Sequence, residues 1–166
     1  MKDFIFRSIL PSELEQAIKI EQICFPPNEA CAPERMAERV NAAPDLFLVA
    51  IDVETGKLAG FLNGFSTMER KFRDEFFTDI SLYDPKGTVV MIFGLDVLPE
   101  YRRQHLATEL MRHYAERERE KGRELLVLTC LEEKVKMYEG MGFVDLGLAD
   151  SAWGGEAWHE MSLTLQ

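Results

Sequence analysis

The sequence contains no run of about 18 or more apolar residues, which is the minimum for a membrane-spanning helix. Near its start, Asp3 and Arg7 interrupt the apolar stretch that a secretory signal requires. Low-complexity segments and internal repeats are also missing, which argues against a disordered or fibrous chain. We therefore expect a cytoplasmic protein without a membrane partner.

Cysteine is scarce, and its positions exclude two further classes of protein. Cys24, Cys31 and Cys130 form neither a CxxC pair nor a Cys/His array with the spacing of metal ligands. This pattern is typical of free thiols in a reducing compartment. We expect no disulfide framework and no metal cofactor.

Basic residues are outnumbered by acidic ones. The chain has 19 Lys and Arg against 29 Asp and Glu, a formal net charge of −10. Such a charge repels nucleic acids and anionic membranes, so we expect no nucleic-acid partner. Hydrophobic residues, in contrast, are plentiful. They make up 46% of the 166 residues, which suits one globular domain over residues 1–166.

The hydrophobic pattern predicts an α/β fold with a mixed sheet in the order β-α-α-β-β-β-α-β-α-β-β. The predicted strands span residues 4–10, 46–53, 57–67, 88–97, 125–129, 142–148 and 157–165. Helices are expected from a cap at Ser12, over residues 33–42 with Arg39 on the polar side, before Gly122 and over residues 132–139. Residues 68–85, with a helical turn near residues 74–77, form a segment that is long enough to be a functional loop and not only a connection between strands.

A basic pair marks the junction between the fourth strand and the long helix. Helix N-termini carry unpaired N–H groups and a partial positive charge, and Arg102 and Arg103 add two cations there. In a chain with a strong acidic excess, this concentration predicts a local phosphate pocket. Ordinary surface arginines are the alternative.

The residues around this pair carry a family resemblance. Residues 95–107, LDVLPEYRRQHLA, resemble the acyl-CoA pyrophosphate motif of the GNAT superfamily of N-acetyltransferases, in its strand–loop–helix setting. The resemblance implies a mostly antiparallel mixed sheet of about seven strands flanked by about four helices, with acetyl-CoA as co-substrate. The implied CoA-binding residues are Leu95, Asp96, Val97, Arg102, Arg103, Gln104, His105, Leu106, Ala107, Thr108 and Tyr138.

One residue departs from the motif. His105 stands where the family usually has glycine, which lets the backbone approach the phosphates closely. The imidazole would either crowd the pyrophosphate or donate a hydrogen bond to it.

A second motif supplies a catalytic candidate. Residues 129–143 resemble the superfamily's helix that ends in Tyr and is followed by Gly-Phe. The resemblance assigns to Tyr138 the protonation of the departing CoA thiolate, which suits a phenol because its pKa of about 10 is near the thiol value of about 8.5. A core aromatic residue packed on Val135 is the alternative.

The N-terminal region points to a branch of the superfamily. Residues 20–30, IEQICFPPNEA, resemble the arylalkylamine N-acetyltransferases, in whose insect members a glutamate acts as base through water. Glu29 matches that position, although Ala30 and Asn28 replace the proline and aspartate of the pattern. A solvated loop acid is the alternative for Glu29.

Other members of that branch place histidines on the fourth strand as a proton path. Met91 and Phe93 occupy those positions here and do not titrate. Glu21, Asp96 and His159 are therefore the further candidates for the base.

The function expected from these motifs is direct transfer of an acetyl group from acetyl-CoA to a small primary amine, of which an arylalkylamine is one example. A protein N-terminus or lysine is the alternative acceptor. The alternative function is that of a non-catalytic regulator that binds acyl-CoA. The protein is expected to be a monomer or a homodimer. Five phenylalanines are available to line an apolar acceptor pocket or to fill the core: Phe25, Phe65, Phe72, Phe76 and Phe77.

Overall fold

The computed structural model describes residues 2–166 and has a seven-stranded sheet in the order β1-β2-β3-β4-β5-β7-β6. The strands are β1 (Phe4–Ser8), β2 (Phe47–Asp52), β3 (Leu58–Thr67), β4 (Val89–Val97), β5 (Leu125–Cys130), β6 (Val144–Leu148) and β7 (His159–Thr164). The helices are α1 (Leu14–Cys24), α2 (Pro33–Ala42), α3 (Glu75–Thr78), α4 (Leu106–Glu120) and α5 (Val135–Gly140). The predicted mixed α/β fold is confirmed, with α3 as the helical turn expected near residues 74–77.

The chain divides into two compact units. The first unit consists of residues 2–64 together with Gly94–Tyr114. Within it β2 pairs antiparallel with β1 and with β3, and all six residues of β2 are buried. The apolar sides of α1 and α2, with Ile20 and Met36, belong to the same core cluster as Phe47 and Phe61 of the strands.

The second unit consists of Phe65–Phe93 together with Ala115–Gln166. In this unit β4 and β5 run parallel, as a helical crossover between consecutive strands allows. β7 pairs antiparallel with both β5 and β6, which makes the sheet mixed. The seven strands therefore appear in the predicted chain order.

Two local predictions are wrong. Ser12 does not cap α1: the chain makes a short 3-10 turn over Pro11–Glu13, and the Glu13 carboxylate accepts the backbone N–H of Leu10 at 2.9 Å. Arg39 does not face solvent, because it is 5% exposed and donates to Asn63 Oδ1 at 3.2 Å. At Ser12, the local contact of Glu13 with Leu10 replaces the predicted cap. At Arg39, the tertiary contact with Asn63 holds the side chain away from solvent.

The three cysteines carry free thiols. Within residues 2–166, no helix combines the length and the apolar character that crossing a membrane requires.

Candidate functional site

The loop between β4 and α4 is the candidate anion-binding part of the site. β4 ends at Val97, a single 3-10 turn covers Pro99–Tyr101, and α4 begins at Leu106. The N–H of Glu109 donates to the His105 carbonyl at 3.0 Å, which is the first hydrogen bond of the helix. The amides before Glu109 have no acceptor within the helix, so they attract anions.

The backbone of this loop is left-handed at two residues that are not glycine. Arg103 and His105 both have φ of 62°. That conformation is costly for residues with a Cβ and easy for glycine. His105 therefore keeps the backbone conformation that the expected glycine favours, and it does so under strain.

The two arginines of the loop are exposed. Arg102 Nε donates to the Val97 carbonyl at 3.1 Å, and its Nη2 lies 3.8 Å from the Cys24 sulfur. The Cys24 thiol in turn donates to the Val97 carbonyl at 3.4 Å. Arg102 and Cys24 thus fix the end of β4 beside the loop, while Arg103 extends into solvent.

This loop fits a diphosphate group. It combines two exposed guanidinium groups, which can bind phosphate oxygens in a bidentate manner, with the positive end of a helix of 15 residues. The side-chain oxygen of the adjacent Gln104 is buried without a hydrogen-bond partner. Over residues 2–166, His, Cys, Asp and Glu nowhere form a group of three or more suited to a metal ion.

Tyr138 lies in α5 and is half-buried. Its ring packs edge-on against Phe143, with 5.8 Å between ring centroids. The Tyr138 carbonyl accepts the backbone N–H groups of Met141 and Phe143, each at 3.0 Å. The Gly-Phe of the motif therefore holds the tyrosine through both the backbone and the ring.

Glu29 lies in a tight turn after α1 and is half-buried. The N–H groups of Glu29 and Ala30 both donate to the Pro26 carbonyl at 2.9 Å. The Glu21 carboxylate accepts the backbone N–H of Cys31 at 2.9 Å, which fastens the same loop to α1. The loop position of Glu29 is thus well defined.

A buried polar cluster brings two of the further base candidates together. Asp96 of β4 is 0% exposed, Glu21 of α1 is 5% exposed and Asn63 of β3 is 1% exposed. Burial, and then the charge and hydrogen bond of Glu21, raise the pKa of Asp96 well above its ordinary value. The Asp96 side chain faces the protein interior, so only its backbone is available to CoA.

Sequence reasoning did not single out Arg39 and Asn63 as members of this cluster. Arg39 resembles an ordinary polar helix residue. Asn63 carries a signal, because it is an amide in the middle of a strand whose ten residues are all buried. A buried amide requires hydrogen-bond partners, and here one of them is Arg39.

The remaining candidates lie elsewhere. His159 Nδ1 is 3.1 Å from Asp145 Oδ1 in the second unit. Phe65, Phe72 and Phe76 are at most 2% exposed and belong to the core. Phe25 and Phe77 are half-buried, as is Phe93, whereas Met91 is fully buried.

The profile of the Acetyltransferase (GNAT) family matches residues 14–143. The loading GNATL domain of CurA from Lyngbya majuscula is similar in structure, with a TM-score of 0.85, 16% identity and coverage of 99% of this chain and 98% of that one. The ribosomal-protein-S18-alanine N-acetyltransferase from Escherichia coli has a TM-score of 0.72 at 18% identity, covering 99% and 95%.

The GphF GNAT-like decarboxylase in complex with isobutyryl-CoA has a TM-score of 0.80 at 17% identity, covering 98% of this chain and all of that one (100%). No curated protein sequence matches the chain significantly. At these identities the similarities establish the fold, and the fold implied by the sequence resemblance is confirmed.

Proposed function

Because this chain belongs to the acetyltransferase (GNAT) family, we propose that it transfers an acetyl group from acetyl-CoA to the nitrogen of a small primary amine. The observation that carries this proposal is the exposed pair Arg102 and Arg103 at the start of α4. It gives an acidic chain of net charge −10 a local site for the pyrophosphate of acetyl-CoA. Residues 95–97 and 104–108 would complete the CoA site through their backbone groups.

An amine acceptor suits the charge of the remaining surface, because an acidic protein attracts a cationic substrate. We propose an arylalkylamine-like acceptor, since the second unit has half-buried aromatic rings beyond its core. The Phe77 ring centroid lies 4.7 Å from that of Trp153 and 5.7 Å from that of Phe93. An aryl group packs favourably on such rings.

The proposed reaction is a direct attack in a ternary complex. An alkylamine is mostly protonated at neutral pH, so Glu29 first removes a proton from the ammonium group. The free amine attacks the thioester carbonyl, whose oxygen is stabilised by backbone N–H groups of Leu95 and Val97. As the carbon–sulfur bond breaks, Tyr138 protonates the CoA thiolate. The attacking nitrogen loses its second proton to solvent, and Tyr138 regains a proton from solvent, so that one proton is released per turnover.

A covalent acyl-cysteine is not part of this scheme. Burial raises the pKa of the Cys130 thiol to about 11. Burial also raises the pKa of Cys24 and of Cys31. Since the thiolate is the nucleophilic form, all three cysteines are poorly suited to attack a thioester at neutral pH.

The test is release of free CoA from acetyl-CoA in the presence of arylalkylamines, aliphatic amines and peptides with free N-termini. We expect turnover with the amines and preference for those with an aryl group. Turnover restricted to peptides would assign a protein acceptor, and binding of acetyl-CoA without turnover would assign a regulator.

The CoA site is tested separately by a double variant, R102A/R103A. It should raise the KM for acetyl-CoA by about 10- to 100-fold, because two charge-assisted interactions with phosphate are lost. The matched control is Arg35→Ala in the same unit, whose guanidinium pairs with Glu38 on the exposed face of α2. An equal effect in both variants would argue against the assigned loop.

A further inference from the structure

A group of aromatic rings in the second unit reaches from the core to the surface. Phe77 lies at its centre. The centroid of the Phe77 ring is 5.1 Å from that of Phe72, 5.7 Å from that of Phe93 and 4.7 Å from that of Trp153. Phe72 is buried, whereas the other three residues are half-buried. Part of the group is therefore accessible to a ligand.

Trp153 lies in a turn that contains two consecutive glycines. The 3-10 turn covers Trp153–Gly155, and its glycines have left-handed backbone, with φ of 63° at Gly154 and 77° at Gly155. Glycine restricts the backbone less than any other residue. Contacts with other parts of the chain must therefore fix the position of the indole.

Asp74 supplies such a contact from the 68–85 segment. Its carboxylate accepts the Ser151 hydroxyl and, at 3.0 Å, the backbone N–H of Ala152. The Ser151 oxygen in turn accepts the backbone N–H of Trp153 at 3.4 Å. Hydrogen bonds in such a chain strengthen one another, and those to a charged acceptor are the stronger ones. Asp74 thus fixes the backbone that carries the indole.

The same residue fixes the opposing ring. Asp74 stands directly before α3, where an aspartate commonly caps the helix, yet its side chain makes no capping hydrogen bond. Its carbonyl accepts the backbone N–H of Phe77 at 3.0 Å. Asp74 therefore holds Phe77 through its main chain and Trp153 through its side chain. Its carboxylate serves the turn before β7 and not its own helix.

The residues beside these rings in the chain are acidic. Residues 74–79, which carry Phe77, and residues 149–156, which carry Trp153, contain no Lys or Arg. They contribute the exposed acidic side chains of Glu75, Asp79, Asp150 and Glu156. A ligand with a positive charge next to an aromatic ring suits such a surface, because the acids attract the charge and the rings pack on its ring.

We propose that Trp153 binds the aryl group of the acceptor amine, and that Asp74 positions Trp153 by way of Ser151 and Ala152. Trp153 is then a specificity-determining residue and Asp74 a positioning residue. An arylalkylammonium ion has both the charge and the ring that this surface suits, whereas an aliphatic amine has no ring to stack. This inference rests on the proposed function and extends it to the residues that select the acceptor.

Tryptophan fluorescence tests the contact without turnover. The chain has two tryptophans, Trp153 and Trp158. In the presence of CoA, 2-phenylethylamine should change the emission of the wild type but not that of Trp153→Leu, which keeps Trp158. The matched ligand is 2-cyclohexylethylamine, which has the same carbon skeleton without the aromatic ring and should act only at higher concentration. Emission of the wild type that does not respond to 2-phenylethylamine would contradict the proposal.

Steady-state kinetics test the selection of the acceptor. The KM of the wild type should be about 2- to 10-fold lower for 2-phenylethylamine than for 2-cyclohexylethylamine, because aromatic pairs gain more than their buried area provides. Trp153→Leu should abolish this difference, chiefly by raising the KM for 2-phenylethylamine. Leucine still covers the neighbouring rings with an apolar side chain. An equal rise of both KM values would indicate a general apolar cover and would overturn the proposal.

The positioning role is tested by three variants of aspartate. Asp74→Ala should bring the ratio of the two KM values close to that of Trp153→Leu. Asp74→Asn keeps a side-chain oxygen that can accept a hydrogen bond, so it should retain more of the ratio. Asp84→Ala is the matched control, because the Asp84 carboxylate in the same segment accepts the backbone N–H of Lys86 at 2.9 Å. A ratio in Asp74→Ala equal to that of the control would refute the positioning role.

The inference and the proposed function can fail separately. A wild type that acetylates neither amine contradicts the proposed function, and the inference with it. A wild type that acetylates both amines with the same KM, and whose emission does not respond to 2-phenylethylamine, supports the proposed function and contradicts the inference alone.

Discussion

The hydroxyl of Tyr101 donates a 2.6 Å hydrogen bond to Oδ2 of Asp52, and both side chains are buried. Tyr101 immediately precedes the loop with the two left-handed residues, and Asp52 is the last residue of β2. This hydrogen bond lowers the pKa of Asp52 more than any other interaction. It therefore anchors the proposed phosphate loop to the sheet of the first unit through a charge-assisted contact.

We expect Tyr101→Phe to lower the free energy of unfolding, because Asp52 loses its shortest hydrogen bond. The control is Tyr114→Phe, whose hydroxyl donates to the neutral Leu46 carbonyl at 3.0 Å. Hydrogen bonds to a charged group are roughly twice as strong as neutral ones, so the Tyr101 variant should lose more stability. Urea unfolding at pH 7 measures both, and equal losses would contradict the assigned role of the Asp52 charge.

Replacing His105 with glycine should stabilise the protein. The left-handed conformation costs a residue with a Cβ roughly 1–2 kcal/mol, and glycine removes this cost while losing more backbone entropy on folding. A net gain of about 1 kcal/mol should appear as a higher Tm. Arg103→Gly relieves the same strain, since φ is also 62° there, but removes a charge that the proposed function assigns to phosphate binding.

The two glycine variants should therefore differ in CoA binding. His105→Gly should leave the Kd for CoA unchanged or lower, whereas Arg103→Gly should raise it about tenfold. A higher Kd in His105→Gly would show that the imidazole donates to the cofactor. Isothermal titration with CoA gives both values.

Tyr138→Phe should lower kcat by about 10²- to 10⁴-fold and leave the KM for acetyl-CoA nearly unchanged, because it removes only the proton donor. The ring contact with Phe143 persists in the variant, so the fold is retained. The control is Tyr83→Phe in the same unit, whose ring stacks on Phe65 with centroids 5.9 Å apart. An unchanged kcat in Tyr138→Phe would remove Tyr138 from the mechanism.

Asp74→Ala should expose the segment 68–85 to proteolysis. The Asp74 carboxylate accepts the Ser151 hydroxyl and, at 3.0 Å, the backbone N–H of Ala152. Removing it frees the segment from the turn before β7, and trypsin should cleave faster after Arg70 and Lys71. Asp79→Ala is the control, because the Asp79 carboxylate accepts the backbone N–H and the hydroxyl of Ser81, two residues away. Its loss should change the cleavage pattern less.

The strands were predictable because their signals are local. β4 is a run of nine residues with almost no polar side chain, and Gly56 marks the hairpin before β3, so both were placed within one or two residues. Capping was less predictable. Ser12 satisfies the sequence pattern of a cap, yet the Glu13 side chain reaches back to Leu10 and takes that role for the preceding turn.

The proposed CoA loop was visible in the sequence because its residues are contiguous. Arg102, Arg103 and the start of α4 follow one another directly, and a strand–loop–helix junction generates the anion site from local geometry alone. The family motif usually has glycine at the position of His105, and glycine is the residue that most easily adopts the left-handed backbone found there. The backbone strain at His105 is visible only in the structure, through its φ of 62°.

The sequence by itself determined the order of strands and helices, the family and the position of the proposed phosphate-binding loop, because each depends on neighbours in the chain. Only the tertiary structure decided the cluster of Glu21, Arg39, Asn63 and Asp96, whose members come from four separate elements. Long-range packing brings these side chains together and removes them from water. That burial, absent from any local pattern, is what raises the pKa of Asp96.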